Sequence, residues 1–435
     1  MKILAIETSC DETAISLLEA SGGFKEPKFS ILGNALNSQV ELHKEYGGVY
    51  PTLAKREHSR NLLPLFLKVL EEGFGNSKSK FLIARYSVRP RGRSGKQISS
   101  SKLEEIKKIF EREPKLSEQF ARIVPKLNRP NIDYIAVTKG PGLEPALWVG
   151  INFAKALSIL WDIPIIPVNH MEGHIFSVFY SGEKTASQKS SQSGGQTPAK
   201  GQRRIEFPAI SLLISGGHTE LVLIKDWFKY KIVGETKDDA VGEAFDKTAR
   251  MLGLPYPGGP EISRLASLAR DKTQGVNSKL QTKHKARIPE IKLPRPMINS
   301  GDCHFSFSGL KTAVLYKLKD LAAETSLDIT EKIKKEFARE VEDSITEVLF
   351  GKTKRALETH KAKTLIVGGG VIANTEIRRA MVSLGKEKSL PVFMPEKELT
   401  TDNAIMIGMA GYFRALKNPR GARPNKIKAE GNLRL

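Results

Sequence analysis

The chain has 435 residues, 40% of them hydrophobic, which is more than one compact core usually holds and predicts two domains or lobes. Cys10 and Cys303 are its only cysteines, so a disulfide framework and a CxxC zinc ribbon are excluded, and any metal must rely on histidine and carboxylate ligands. The net charge of +21 is concentrated: residues 77–129, 181–204 and 414–435 contribute +10, +4 and +6, leaving a nearly neutral body to which basic segments read as additions. That distribution suits a protein that handles a polyanion such as nucleic acid, although basic loops also serve simply as solvated surface.

The opening MKILAIETSCDET meets acidic residues before any long apolar run, and no run of 18 apolar residues follows. The expectation is a cytoplasmic protein without signal peptide or membrane span. MKILAIE and AISLLEA read as two strands joined by the tight acidic turn TSCDET. Residues 77–129 break the pattern. A basic arm with seven Lys/Arg and no acid over 78–97 precedes SSSKLEEIKKIFERE, a short helix with a Ser101–Glu104 capping-box spacing and an apolar face at Leu103, Ile106 and Phe110.

IDYIAVTKG then reads as a strand that ends in a glycine turn and the helix PGLEPALWVGINFAKALSIL, and IPIIPV as a short buried strand. Asn169 can cap a helix carrying His170 and His174, which lie one turn apart on one face, as two ligands of one metal must. An HxxxH pair is common by chance, and a zinc protease of the HExxH kind needs its glutamate directly after the first histidine. Glu172 stands two positions on, roughly 200° round the helix, and is expected to be a solvent-facing or capping carboxylate.

Residues 181–204 lack the apolar content of a folded segment and read as a disordered loop. FPAISLLI–SGGHTE–LVLIKD repeats the strand–polar turn–strand unit of the N-terminus, which predicts two related lobes that each present a loop to a shared cleft. DDAVGEAFDKTARMLG reads as a helix closed by Gly253, with Asp238 and Asp239 matching its dipole and Asp246 on an exposed face beside Lys247; PYPGGP reads as a rigid turn. KTLIVGGGVIANTEIRRAM gives a strand, a triple-glycine loop and a helix, and TTDNAIMIGMAGYFRAL a helix with Asp402 near its N-cap. Alternating strands and helices give an α/β class. The glycine loops SGGHT and GGGVIAN let backbone N–H groups approach a phosphate. There is no GxxxxGK[ST], and no GxGxxG between a strand and a helix, so P-loop and dinucleotide enzymes are disfavoured.

Nine segments in order, IETSCDET, GGVYPTLAKREH, KGPGLEPALWVG, NHMEGH, SGGHTELV, DDAVGEAFDKTARMLGLPYPGGP, FSFSGLKTAV, GGGVIANTEIR and TTDNAIMIG, resemble the tRNA adenosine threonylcarbamoyltransferases. These were formerly called O-sialoglycoprotein endopeptidases and belong to the actin-like ATPase superfamily. The resemblance leaves out 77–129, 181–204 and the extreme C-terminus. It implies two actin-like, ribonuclease H-like lobes around a nucleotide cleft, residues 1–206 with 396–435 forming the first and 207–395 the second.

The implied reaction moves a threonylcarbamoyl group from threonylcarbamoyl-AMP to the exocyclic amine of the adenosine 3′ of the anticodon, in tRNAs reading codons that begin with A. One divalent metal, iron in preference to zinc, would be held by His170, His174 and Asp402. Nucleotide contacts would fall on Leu213, Ile214, Ser215, Gly216, Gly217, Asp246, Gly259 and Asn374. Asp11 or Glu12 would orient or deprotonate the amine. The implied partners are tRNA, a non-catalytic paralogue of TsaB type and a small ATPase of TsaE type, with no membrane. The basic insertion would grip tRNA or dock a partner. Three alternatives fit less well: a sugar or acetate kinase or chaperone-type ATPase leaves the histidines and Asp402 unexplained; a scaffolding paralogue would have lost those ligands; a protease needs its glutamate elsewhere.

Overall fold

The computed structural model describes residues 1–75, 99–180, 204–274, 291–325 and 330–435. The basic arm expected over 78–97 and nearly all of the loop expected over 181–204 lie outside the described residues. Two compact units emerge, one from the described parts of Met1–Glu183 with Asp402–Leu435, the other from those of Ile205–Thr401.

In the first unit, β1 (Lys2–Glu7), β2 (Glu12–Ser21) and β3 (Lys28–Ser38) form an antiparallel meander. The short α1 (Val40–Lys44) and long α2 (Pro51–Phe74) follow, then α3 (Ser100–Ile109) and α4 (Pro114–Ile123). The parallel strand β4 (Tyr134–Gly140) pairs with β1; α5 (Glu144–Trp161) crosses over to β5 (Ile165–Asn169), and α6 (His170–Phe176) follows at once. The sheet order is β3-β2-β1-β4-β5. Gly33 permits close seating of α2 on β3, because a Cβ there would lie 2.6 Å from the Val69 carbonyl oxygen.

Two expectations for residues 99–129 are corrected. Helix α3 begins at Ser100, capped by Ser99, whose Oγ accepts from Lys102 N, so the Ser101–Glu104 box is not the cap. Nor is this stretch only an addition to the body. Ile106, Phe110, Leu116 and Phe120 are buried in one core with Phe66 and Phe153, since the apolar faces of α3 and α4 have α2 and α5 to cover them.

The second unit repeats the topology. Strands β6 (Ala209–Ile214), β7 (Thr219–Asp226) and β8 (Lys229–Glu235) form an antiparallel meander. Helices α7 (Val241–Met251), α8 (Gly258–Gln274), α9 (Ser308–Thr325) and α10 (Glu331–Thr359) precede β9 (Thr364–Gly368), which runs parallel to β6. Helix α11 (Thr375–Glu387) then leads to β10 (Val392–Phe393), giving the order β10-β9-β6-β7-β8. In both units the first strand of the meander is central and the two later strands stack beside it in parallel, so the α/β fold is built from two five-stranded mixed sheets of one topology.

The PYPGGP segment is not wholly a turn: Gly258 to Pro260 already form the first turn of α8, where a proline is tolerated because its missing N–H has no intrahelical partner. The last helix, α12 (Ala404–Lys417), returns to the first unit and packs on β1, β2, β4 and β5. Gly408 and Gly411 make that approach possible, since a Cβ at either would lie 2.2 Å from Leu18 Cδ1 or 2.6 Å from Ala136 Cβ.

Candidate metal centre and glycine loops

In the first unit the C-terminal end of β5 delivers Asn169, whose side-chain oxygen accepts from Met171 N at 2.8 Å and starts α6. His170 and His174 therefore face the same way one turn apart, with ring centroids 4.8 Å apart. Asp402, just ahead of the Asn403 cap of α12, completes the group: its Oδ1 lies 3.2 Å from His170 Nε2 and 3.3 Å from His174 Nε2. One ligand atom from each residue falls within 4.8 Å of the others.

The hydrogen bonding says which atoms are free to ligate. His170 Nδ1 donates to the buried Glu7 carboxylate at 3.2 Å, and Glu7 is itself held by Ser9 N and Thr138 Oγ1. With its proton on Nδ1, His170 turns the lone pair of Nε2 toward Asp402. Both ring nitrogens of His174 are buried without a hydrogen-bond partner among the described residues, even though Nε2 is close to Asp402. Two imidazole lone pairs and a carboxylate oxygen around one point repel one another unless a cation lies between them, so this donor set fits a divalent metal.

The two carboxylates call for positive charge at this point. Burial alone would depress His170, but Asp402 and Glu7 outweigh it and raise its pKa well above the ordinary imidazole value, so a proton on His170 competes with a metal for the Nε2 lone pair. Burial lowers His174, keeping it neutral as a ligand must be. Asp402 is held well below the carboxylate range: burial opposes this, and the His170 charge overcomes it.

Glu172 corrects the expectation of a solvent-facing carboxylate. It is buried and bound by the Arg414 guanidinium of α12, with Nε and Nη2 at 2.5 and 2.8 Å. A carboxylate on the far side of α6 thus ties that helix to α12, whose N-terminus Asp402 precedes. Glu7, Ser9 and Thr138 were not anticipated as parts of the site; an acidic residue ending the apolar strand KILAIE is the signal that could have pointed to Glu7.

The acidic turn after β1 faces the same region. Glu12 begins β2 with Ser38 Oγ 3.4 Å from its carboxylate, and burial, reinforced first by Asp11 and then by Asp402, pushes its pKa well up. The Cys10 thiol is raised by burial and by the same acids.

In the second unit, Leu213 and Ile214 are buried strand residues, so only their backbone can meet a ligand. The turn beyond them closes through Ser215 N to His218 O and His218 N to Ser215 Oγ. Cβ atoms built on Gly216, Gly217 or Gly370 would meet nothing within 4 Å, and one on Gly259 would meet only Phe245 Cβ at 3.9 Å. These glycines leave backbone open to a close-lying ligand. Gly369, at φ +96°, has its backbone against Ile214, which brings the second glycine loop beside the first.

Asp246 is half-buried rather than on an exposed face; its Oδ1 accepts from Gly258 N at 2.6 Å, and burial raises its pKa. Asn374 caps α11 through Glu376 N and Ile377 N while its amide donates to Glu342. Both side chains therefore set helix N-termini, where anions are favoured. Asp238 does not serve the α7 dipole: it accepts from Ser306 Oγ, Phe307 N, and Ser308 N and Oγ at the start of α9. Asp239 pairs with Lys247.

A mixed α/β fold with a His–His–Asp group in one unit and open glycine loops in the other defines a class of enzyme in which a metal and a phosphate-bearing ligand are both within the protein's means. Comparison narrows the class. A model of the tRNA N6-adenosine threonylcarbamoyltransferase family matches residues 30–78, 120–197 and 190–409. Enzymes of that name from Burkholderia pseudomallei and Burkholderia mallei are 38% identical over 423 residues, covering 97% of this chain and 94% of theirs, and one from Burkholderia thailandensis is 37% identical over the same coverage. The chain belongs to the tRNA N6-adenosine threonylcarbamoyltransferase family, and is a transferase. Residues 79–119 fall between the matched segments, so 77–78 and 120–129 of the basic insertion, and all of 181–204, belong to the family pattern, which corrects the expectation that these stretches lie outside it. Among the described residues no helix is long and apolar enough to cross a membrane.

Proposed function

We propose that the chain transfers the threonylcarbamoyl group of threonylcarbamoyl-AMP to the exocyclic amine of the adenosine 3′ of the anticodon, in tRNAs reading codons that begin with A, with release of AMP and with one divalent metal on His170, His174 and Asp402. The observation that supports the metal reading is the convergence of one ligand atom each from the buried His170 and His174 and from Asp402 within 4.8 Å. Two imidazoles and one carboxylate suit iron first and zinc second. Bound there, the metal supplies Lewis acidity toward an acyl or phosphate oxygen.

The remaining work falls to the chain's own groups. Backbone N–H groups at Gly216 and Gly217, the open backbone surface at Gly259, and the helix starts set by Asp246 and Asn374 would receive the nucleotide, with Leu213 and Ile214 contributing main chain and Ser215 its hydroxyl. The adenosine amine attacks the carbamoyl carbon, a C–N bond forms, the C–O bond to the phosphate breaks, and AMP departs with the electron pair. The amine proton passes to Glu12 or Asp11. Burial and its acidic neighbours make Glu12 a stronger base than a free carboxylate. An anticodon-loop base can be splayed out without opening a duplex. Working partners would be a TsaB-type paralogue and a TsaE-type ATPase.

The test measures AMP and modified nucleoside together, using purified protein, its partners, threonylcarbamoyl-AMP and unmodified tRNA. One AMP per modified adenosine supports the reading. AMP release that neither needs tRNA nor yields modified nucleoside contradicts it.

A further inference from the structure

Beneath the acidic turn lies a set of four polar side chains, Thr13, Gln39, His43 and His58, all fully buried. His58 Nε2 lies 2.9 Å from the Cys10 carbonyl oxygen, so this nitrogen carries the proton and donates. His58 Nδ1 is then the acceptor, and it meets Thr13 Oγ1 at 2.8 Å and Gln39 Nε2 at 3.4 Å. Gln39 Nε2 also donates to Ala54 O at 3.5 Å. The amide orientation is fixed at its other end, where Gln39 Oε1 accepts from His43 Nε2 at 3.3 Å while Tyr50 N donates to His43 Nδ1 at 3.3 Å. The Gln39 backbone N–H donates to the Asp11 carbonyl at 2.9 Å.

Every proton in this chain of contacts has one consistent place, and its two outputs are consecutive carbonyls, those of Cys10 and Asp11. Burial depresses the His58 pKa and keeps the ring neutral, as an accepting Nδ1 requires. Apolar residues of similar volume would stabilise an interior at least as well as buried polar ones. A fully satisfied polar network instead fixes one geometry, and the geometry fixed here is the direction in which Asp11 and Glu12 leave the sheet.

We propose that His58 is a positioning residue for the transfer step, holding the Cys10–Asp11 peptide so that the Asp11 and Glu12 carboxylates are set for the amine. The proposal rests on the reading that this acidic turn serves the chemistry. Positioning errors of about 1 Å cost on the order of 100-fold in rate.

The test compares steady-state transfer kinetics of wild type with His58→Ala, His58→Gln and Thr13→Val in the complete assembly. His58→Ala is expected to lower kcat roughly 100-fold with KM for threonylcarbamoyl-AMP and tRNA within about twofold. His58→Gln, whose amide can still donate to the Cys10 carbonyl, is expected to regain at least about tenfold of that loss. A purely structural role would lower the melting temperature and the active fraction without this split or rescue. If His58→Ala does not fold, Thr13→Val, which removes the hydroxyl that donates to His58 Nδ1, is read instead, with a fall in kcat of about tenfold expected.

Unchanged kcat in His58→Ala, or in Thr13→Val where that variant is the one read, overturns the proposal, as does His58→Gln no more active than His58→Ala. Asp11→Asn and Glu12→Gln separate the two levels. Full activity in both refutes the reading of the acidic turn itself, whereas inactive carboxylate variants beside a fully active His58→Ala refute only the positioning role.

Discussion

Replacing Gly242 with alanine tests the glycine loop most sharply, because the clash it makes is with backbone. A Cβ at this second residue of α7 would stand 2.7 Å from Gly216 Cα and 2.8 Å from Ser215 O, where ordinary contact begins at 3.4 Å. The loop must retreat by about 0.7 Å, and the hydrogen bond from Gly242 N to Ser215 O stretches with it. Overpacking of this kind costs about 1–3 kcal/mol, partly offset by about 1 kcal/mol of better helix propensity. Global stability should therefore change little while the nucleotide contact suffers. The expected loss is about tenfold in affinity for threonylcarbamoyl-AMP and for AMP, or about 1.4 kcal/mol. Isothermal titration of both ligands, with urea unfolding alongside, measures each part. Wild-type nucleotide affinity in a folded Gly242→Ala protein would refute the assignment of the Ser215–Gly217 turn as a nucleotide contact.

Three other outcomes are expected. Arg414→Met leaves the Glu172 carboxylate buried without its guanidinium, and because Arg414 is partly exposed the loss of stability should be about 2 kcal/mol rather than the larger figure for a fully buried pair, read by urea unfolding. Asp302 is held below the usual carboxylate range by the Ser300 hydroxyl and then by the buried Lys352 ammonium; its stabilising contribution is complete above its unfolded pKa near ~3.8 and is lost as pH falls through the lower folded value, so Asp302→Asn should flatten the acid limb of a stability–pH curve. Removing residues 78–97 with a short linker in their place should weaken tRNA binding about tenfold and make it less salt-dependent, measured by titration at several salt concentrations; undiminished affinity would assign the arm another role.

What the sequence made legible was local. Strand–polar turn–strand units, the Asn169 cap, the helix stop at Gly253 and the glycine loops are each set by a few adjacent residues, and the structure has them where those residues predict. Helix α2 was harder to see because Pro64 lies inside its apolar spacing, an element that ordinarily breaks a helix. Errors came where the partner is distant in the chain. Glu172 looks exposed on its own helix, and only Arg414 on α12 gives it a reason to be buried. Asp238 precedes α7 yet caps α9, because the chain returns there at Ser306 to Ser308. The His58–Gln39–His43 network could not be read from spacing at all, since the turn it supports is brought to it by the pairing of β1, β2 and β3.

The most direct test of the whole account is nucleoside mass spectrometry of tRNA after incubation with threonylcarbamoyl-AMP and the partner proteins, comparing wild type with His174→Ala and measuring bound metal in both. The account predicts about one metal ion per chain and threonylcarbamoyladenosine from wild type, and loss of both in the variant. Equal modification by a metal-free His174→Ala protein would contradict it.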